Sequence, residues 1–354
     1  VARAQSFYQQ ASASASTPLA QFQAQLSEFE LSIAQTPTEA SQIWVNQSTA
    51  LQQQLASLPA SRAATYARLR LVKILLDAEI PPASSETILF LLTPAHHQAQ
   101  SLEDSMAAVY ALGYQGQLYG KAQQWSEAIA LSQRALAKAQ TLQASEMAYQ
   151  WAWQLGRWYS AQGDYAKAIA AYTTAIEELR TLRTDLASTS VDAQFEFRDG
   201  VEPVYRELVK LLLQTEAAQL VSQANLKQAR VLIEDLQLAE LNDYFQDACV
   251  QASPVAADNV DSTAAVIYPI LLDDRLDVIV SVAGTPMRHY STPLSTDQLE
   301  ETVNQLLKSL TTPLGASRAE TTLQLQQMYN WMLRPVVNDL AQREIETLVF
   351  LADG

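Results

Sequence analysis

The chain has 354 residues, 48% hydrophobic and 17% charged, with a formal net charge of −15 and a pI near 4.6. That composition belongs to globular chains long enough for two domains and excludes wholesale disorder. A field this acidic, with no Lys/Arg stripe to offset it, excludes nucleic acid as a direct ligand, and the longest apolar runs, Ala264 to Leu272 and Ile88 to Leu92, fall short of the ~20 residues of a membrane-spanning helix.

One cysteine, Cys249, rules out an internal disulfide framework and a CxxC metal site. The first residue is Val1 and not Met, which points to an upstream segment. The compartment stays open: the cytoplasm is favoured, with export if a signal peptide preceded Val1.

From Gln5 to about Leu186 the chain is rich in Ala, Gln and Leu, and its apolar residues recur at spacings of three and four, as amphipathic helices require. Thr36-Pro37-Thr38-Glu39 and Pro81-Pro82-Ala83-Ser84-Ser85-Glu86 each stop one helix and start another. Pro94 places His96 and His97 in a loop.

Within this half the chain matches itself at a shift of 40 residues: Gly116, Tyr119, Ala128, Ile129 and Ala135 align with Gly156, Tyr159, Ala168, Ile169 and Ala175. Trp125 aligns with Tyr165, and Leu131 with Ala171. The second copy, Leu155-Gly156-x-x-Tyr159, then Ala168-x-x-x-Tyr172 and Ala175, resembles the tetratricopeptide (TPR) consensus in residue type and spacing. Gly156 and Ala168 are expected where the two helices of a hairpin cross, with Tyr159, Tyr172 and Ala175 filling the space toward neighbouring hairpins. The period exceeds the usual 34 residues, and the excess is expected in longer helices and in the connection Ala139 to Glu146. The first copy departs from the consensus at Gln115 and Ser132.

Residues 1–100 are accordingly expected to be divergent helical hairpins and 101–190 two TPR-like repeats, Met106 to Leu142 and Glu146 to Leu182. Residues 191–250 are expected to be connecting helices. Positions 251–263, with Pro254, Asp258, Asn259 and Asp261, lack periodicity and mark a linker and the domain boundary.

Strands follow: Ala264 to Leu272, Leu276 to Val282 and Met287 to Tyr290 as an antiparallel meander, with turns at Asp273-Asp274 and Gly284-Thr285-Pro286. Ser295 and Gln298 form a capping box ahead of a helix carrying Leu299, Val303, Leu306, Leu307 and Leu310. A second helix carries Met328, Met332, Leu333 and Val336, and Leu348 to Ala352 is a last apolar strand, ending at the turn signal Asp353-Gly354. Four strands and two helices cover one sheet face only, which predicts an incomplete domain over 264–354. The fold class expected is mainly α, a TPR-like antiparallel helix-hairpin solenoid followed by an incomplete α/β sheet domain.

The run Phe195-Glu196-Phe197-Arg198-Asp199-Gly200-Val201-Glu202-Pro203-Val204-Tyr205-Arg206-Glu207-Leu208, with Gln228-Ala229-Arg230 and Leu236-Gln237-Leu238-Ala239-Glu240-Leu241, resembles the region that joins repeats to protease domain in bacterial, cyanobacterial-type TPR-CHAT proteins. Ala265-Val266-Ile267-Tyr268-Pro269, Arg288-His289-Tyr290, Trp331-Met332-Leu333-Arg334-Pro335 and Leu348-Val349-Phe350-Leu351-Ala352-Asp353-Gly354 look like the opening of the CHAT domain. The resemblance implies a caspase-like cysteine peptidase sheet with a His/Cys dyad placed after later strands. No residue here matches that dyad, so no catalytic residue is carried over.

Other residues that invite chemistry have simpler readings. Cys249 ends a predicted helix with no base beside it and reads as a small apolar residue. Adjacent histidines point apart and do not converge on a metal. His289 reads as a strand residue packed at a sheet surface; its pairing with Cys249 in a dyad is an alternative that the family resemblance argues against. Ser12 to Ser16 suit a hairpin tip, and Glu177-Glu178 and Glu300-Glu301 are solvated helix faces. No cofactor or metal site is expected.

By register with TPR proteins, Tyr110, Gln117 and Lys121 in the first copy and Gln150, Trp153 and Arg157 in the second take groove positions. Two cations and two aromatics there would hold a carboxylate and an apolar side chain of a protein or peptide partner. The competing reading is surface and inter-repeat packing. At the level of function this gives a TPR interaction scaffold attached to the start of a CHAT domain, inactive as given. The alternative is the regulatory N-terminal portion of an active caspase-like endopeptidase whose dyad lies beyond Gly354.

Overall fold

A computed structural model describes residues 2–35, 41–78, 85–187, 200–214, 220–245, 261, 263–311 and 318–351. The chain divides into two compact units, Val1–Asp185 and Leu186–Gly354.

The first unit consists of helices α1 (Ala2–Ser14), α2 (Pro18–Gln35), α3 (Ser41–Ser57), α4 (Arg62–Asp77), α5 (Ser85–Ser101), α6 (Ser105–Lys121), α7 (Trp125–Thr141), α8 (Ser145–Gln162) and α9 (Tyr165–Ala187). Helices α4–α5, α6–α7 and α8–α9 are three successive TPR-like hairpins, and their second helices start at Ser85, Trp125 and Tyr165, a constant step of 40. Ser12 to Ser16 sit at the α1–α2 turn, where Thr17 Oγ1 accepts the Ala20 amide at 3.1 Å.

The turns explain the step. Glu103, Gln123, Gln143 and Gly163 all have positive φ, between 52° and 84°, at intervals of 20 residues. At each turn the amide of the following residue donates five residues back, as in Asp104 to Ala99, Gln124 to Tyr119, Ala144 to Ala139 and Asp164 to Tyr159. These are Schellman caps, and their left-handed residue is ordinarily glycine. Helices of 17 residues joined by three-residue turns give 20 per helix and 40 per hairpin. The excess over a standard repeat therefore lies in the helices; only Leu142, Gln143 and Ala144 connect α7 to α8.

Pro94 does not open a loop. Ile88, Leu91, Leu92, Ala95 and Ala99 stay buried in helical phase through it, and burying such a stripe, ~1.5–3 kcal/mol per large side chain, outweighs the roughly 3 kcal/mol cost of an interior proline. His96 and His97 consequently lie on α5, where His96 Nε2 is 3.1 Å from Gln100 Nε2.

The second unit is α/β. Helices α10 (Glu202–Leu212) and α11 (Gln223–Phe245) precede β1 (Ala264–Leu271), β2 (Arg275–Val282) and β3 (Arg288–Pro293), then come α12 (Thr296–Thr311), α13 (Arg318–Met332), α14 (Val337–Gln342) and β4 (Thr347–Phe350). The strand order is β3-β2-β1-β4, antiparallel except for the parallel β1–β4 pair. Ser295 Oγ accepts the Gln298 amide while Gln298 Oε1 accepts the Ser295 amide, both at 3.3 Å, the reciprocal capping box expected at α12. The last predicted helix is broken at Pro335: α13 ends at Met332 and α14 starts at Val337.

Both sheet faces are covered, which corrects the expectation of a single covered face. Ala265, Ile267, Val278 and Val280 pack with Leu299, Trp331, Met332, Val336 and Leu340 of the α12–α14 side. On the opposite face, set by strand alternation, Tyr268 Oη donates to Glu234 Oε1 at 2.6 Å and Arg230 donates to Ser281 Oγ at 3.2 Å, which seats α11 there. Arg206 of α10 donates to the Leu271 carbonyl and Lys210 pairs with Asp273 at 2.6 Å. Because these two helices are tied to the sheet, the compact units divide at Asp185/Leu186 and not in 251–263.

Candidate functional site

The first helices of the hairpins, α4, α6 and α8, carry the six groove residues, and their packing rests on glycine. A Cβ placed on Gly113 would fall inside the indole of Trp151, and one on Gly120 inside that of Trp158. Two glycines seven residues apart on α6 thus receive two tryptophans seven apart on α8, which lets the two first helices approach closely. Within hairpins, a Cβ on Gly116 would meet Ser132 Oγ at 2.6 Å, and one on Gly156 the Tyr172 ring at 2.7 Å. Gly156 thus stands at a hairpin crossing, as expected, but Tyr172 packs inside its own hairpin instead of between hairpins. Tyr159 does bridge hairpins, accepting from Gln133 Nε2 at 2.7 Å.

Ser132, an apolar position in the consensus, is fully buried. Its Oγ donates to the Ala128 carbonyl at 2.7 Å and accepts from Gln154 Nε2 at 2.8 Å, while Gln154 also donates to the Gly113 carbonyl at 3.0 Å. The departure from consensus is a satisfied polar knot joining α6, α7 and α8.

The six groove residues have different surroundings. Tyr110 is part of an aromatic cluster, edge-on to Tyr66 and Trp151 with centroids 6.4 and 6.2 Å away and stacked on Tyr114 at 5.9 Å. Burial first, then the nearby Glu146, Tyr66 and Tyr149, push its phenol up to about 12. It packs hairpin on hairpin. Gln117 Nε2 donates to Asp77 Oδ1 at 3.1 Å, tying α6 to α4. Gln150 hydrogen-bonds Tyr149. Lys121 is exposed in the last turn of α6. On α8 the Arg157 guanidinium lies over the Trp153 ring, 3.9 Å from its centroid. The structure therefore brings Trp153 and Arg157 together as a surface pair, leaves Lys121 exposed, and uses Tyr110 and Gln117 to hold the hairpins in register.

Asp104, which the sequence reading passed over, organises the edge of this face. As N-cap of α6 its Oδ1 accepts the Ala107 amide at 3.1 Å and the Tyr66 hydroxyl at 3.3 Å, and Arg62 Nε lies 2.7 Å from Oδ2. The signal was present as Asp104 and Asp164, capping residues 60 apart at the starts of α6 and α9.

A second polar cluster lies in the sheet. Asp277, fully buried, accepts from His289 Nε2 at 3.1 Å and from Arg275 Nε at 2.9 Å. Burial alone would raise its pKa, but hydrogen bonds from His289 and Ser291 and the charges of Arg275 and His289 hold it below the usual carboxylate range. His289, expected at a sheet surface, is engaged by this carboxylate and clamps β3 to β2. Cys249 lies outside the described residues. Among the described residues no group of three or more His, Cys, Asp or Glu could hold a metal ion, and no helix is long and apolar enough to cross a membrane.

No protein-family model and no curated protein matches this sequence. Among solved structures the chain is similar to BtubC (BKLC) from P. vanneervenii, at 12% identity and a TM-score of 0.47, over 72% of this chain and 94% of that one. It is also similar to a Signal Transduction ATPase with Numerous Domains (STAND) protein with a tetratricopeptide repeat sensor from Pyrococcus horikoshii, at 11% identity and a TM-score of 0.42. That alignment spans 92% of this chain and 39% of the larger protein. Both scores are too low to define a function.

Proposed function

We infer that this chain is a helical-repeat interaction scaffold that binds an extended protein segment across the first-helix face of α6 and α8. The observation that carries the reading is the Arg157–Trp153 pair at 3.9 Å, a preformed cation and aromatic surface on the same face as the exposed Lys121. Cations and aromatics of this kind anchor carboxylates and apolar side chains in protein recognition. Three hairpins held in register by glycine–tryptophan contacts supply the rigid support that such a surface needs.

The second unit is proposed to be the opening part of a caspase-like CHAT domain. The parallel β1–β4 pair, joined through α12, α13 and α14, supports an α/β sheet of that kind. On this reading the chain regulates a peptidase and does not itself cleave. Intact mass of the gene product tests it: a longer product with a downstream His and Cys supports it, and a product ending at Gly354 removes it.

Selection from a peptide library tests the scaffold reading. Selected peptides should bind the wild type and lose about tenfold or more, ~1.4 kcal/mol, against Lys121→Ala with Arg157→Ala. Unchanged binding would remove the groove.

A further inference from the structure

The two edges of the four-stranded sheet are built differently. β3, Arg288-His289-Tyr290-Ser291-Thr292-Pro293, is polar, carries Arg288 and ends in proline, the devices that keep a sheet edge from pairing. β4, Thr347-Leu348-Val349-Phe350, has no charge, no proline and two large exposed side chains, Leu348 at 42% and Phe350 at 44%.

The hydrogen-bond phase shows which backbone groups of β4 are open. Thr347 and Leu351 donate their amides toward β1, to the Thr263 and Ile267 carbonyls. By strand alternation the amides and carbonyls of Leu348 and Phe350 point to the other side, where the strand order places no neighbour among the described residues. The side chains of those two residues pair in register with Ala265 and Ile267, so they stand on the α12–α14 face of the sheet. Open donors and acceptors alternate with an exposed apolar pair, the template for adding one more strand.

Charge selects the occupant. Glu344 and Glu346 are exposed immediately before β4, and the whole chain carries a net charge of −15. A second copy would bring two such fields together. We propose that the β4 edge binds an extended segment of another protein, antiparallel to β4, with large apolar residues at alternate positions on the α12–α14 face, followed by Lys or Arg beside Glu346 and Glu344. The proposal is independent of the α6–α8 face.

The test is a fluorescence-anisotropy titration of the full chain with the labelled peptide acetyl-Thr-Val-Thr-Val-Thr-Val-Lys-Lys-amide. Saturable binding is expected. It should weaken about tenfold or more when the alternate valine amides are N-methylated, which blocks strand donors without touching the protein, and again with Glu344→Lys plus Glu346→Lys. Lys121→Ala with Arg157→Ala should leave it unchanged. Absence of saturable binding, or binding indifferent to N-methylation, would overturn the proposal. So would sedimentation of the chain as a dimer that Phe350→Lys converts to monomer, because a second copy would then own the edge.

Discussion

Gly113 of α6 and Trp151 of α8 occupy one another's space: the indole of Trp151 fills the volume a Cβ on Gly113 would take. This contact, repeated by Gly120 and Trp158, sets how closely successive first helices approach, and with that the geometry of the face that carries Arg157 and Lys121.

Gly113→Ala should therefore destabilise the first unit by about 1–3 kcal/mol, the range for overpacking a filled core, although alanine is the better helix former. Urea unfolding measures it. Combining Gly113→Ala with Trp151→Leu should cost less than the sum of the single changes, because the two residues share one volume. Additive losses would show that the contact is not the cause.

The left-handed turn residues give a prediction of opposite sign. Gln123 and Gln143 hold φ of 58° and 54°, a conformation costing an L side chain roughly 1 kcal/mol. Gln123→Gly and Gln143→Gly should each raise stability by up to about 1 kcal/mol, while Gly163→Ala, at φ 84°, should lower it by a similar amount. Thermal unfolding of the three variants reads both directions.

Asp277 predicts acid sensitivity of the second unit. Its folded pKa lies below the ordinary value, so the unfolded chain takes up the proton first. The stabilisation is complete above the unfolded carboxylate pKa, near ~3.9, and is lost as pH falls through the folded value. Asp277→Asn should weaken the second unit at neutral pH, by roughly 3–5 kcal/mol if the charges of Arg275 and His289 stay buried without it, and should flatten the acid limb of its stability profile. A variant with an unchanged acid limb would show that another carboxylate sets it.

The architecture was legible where small residues recur. Gly116 and Gly156 marked the hairpin crossings, and Ser295 with Gln298 marked the start of α12. Other features were hidden for physical reasons. The Schellman turns carry Glu103, Gln123 and Gln143 where glycine would have announced them, so the three-residue connections looked longer. The Gly113–Trp151 and Gly120–Trp158 contacts run at a shift of 38, off the 40-residue repeat, because a bulky residue in one hairpin meets a small one in the previous hairpin. Pro94 looked like a break because its local cost is visible in sequence and the burial around it is not. Asp277 looked like a surface residue between Leu276 and Val278, since its partner His289 is twelve positions away across a hairpin. Of the groove residues, sequence register located the right face, but it could not separate Tyr110 and Gln117, which hold hairpins together, from Trp153 and Arg157, which form the exposed pair.

The central claim is that the first-helix face of α6 and α8 is the recognition surface. Hydrogen exchange of the full chain with and without a selected peptide tests it most directly. The account predicts added protection along Ser105–Lys121 and Ser145–Gln162, absent in the Lys121→Ala, Arg157→Ala variant. Protection confined to α7 and α9, or to β4, would contradict it.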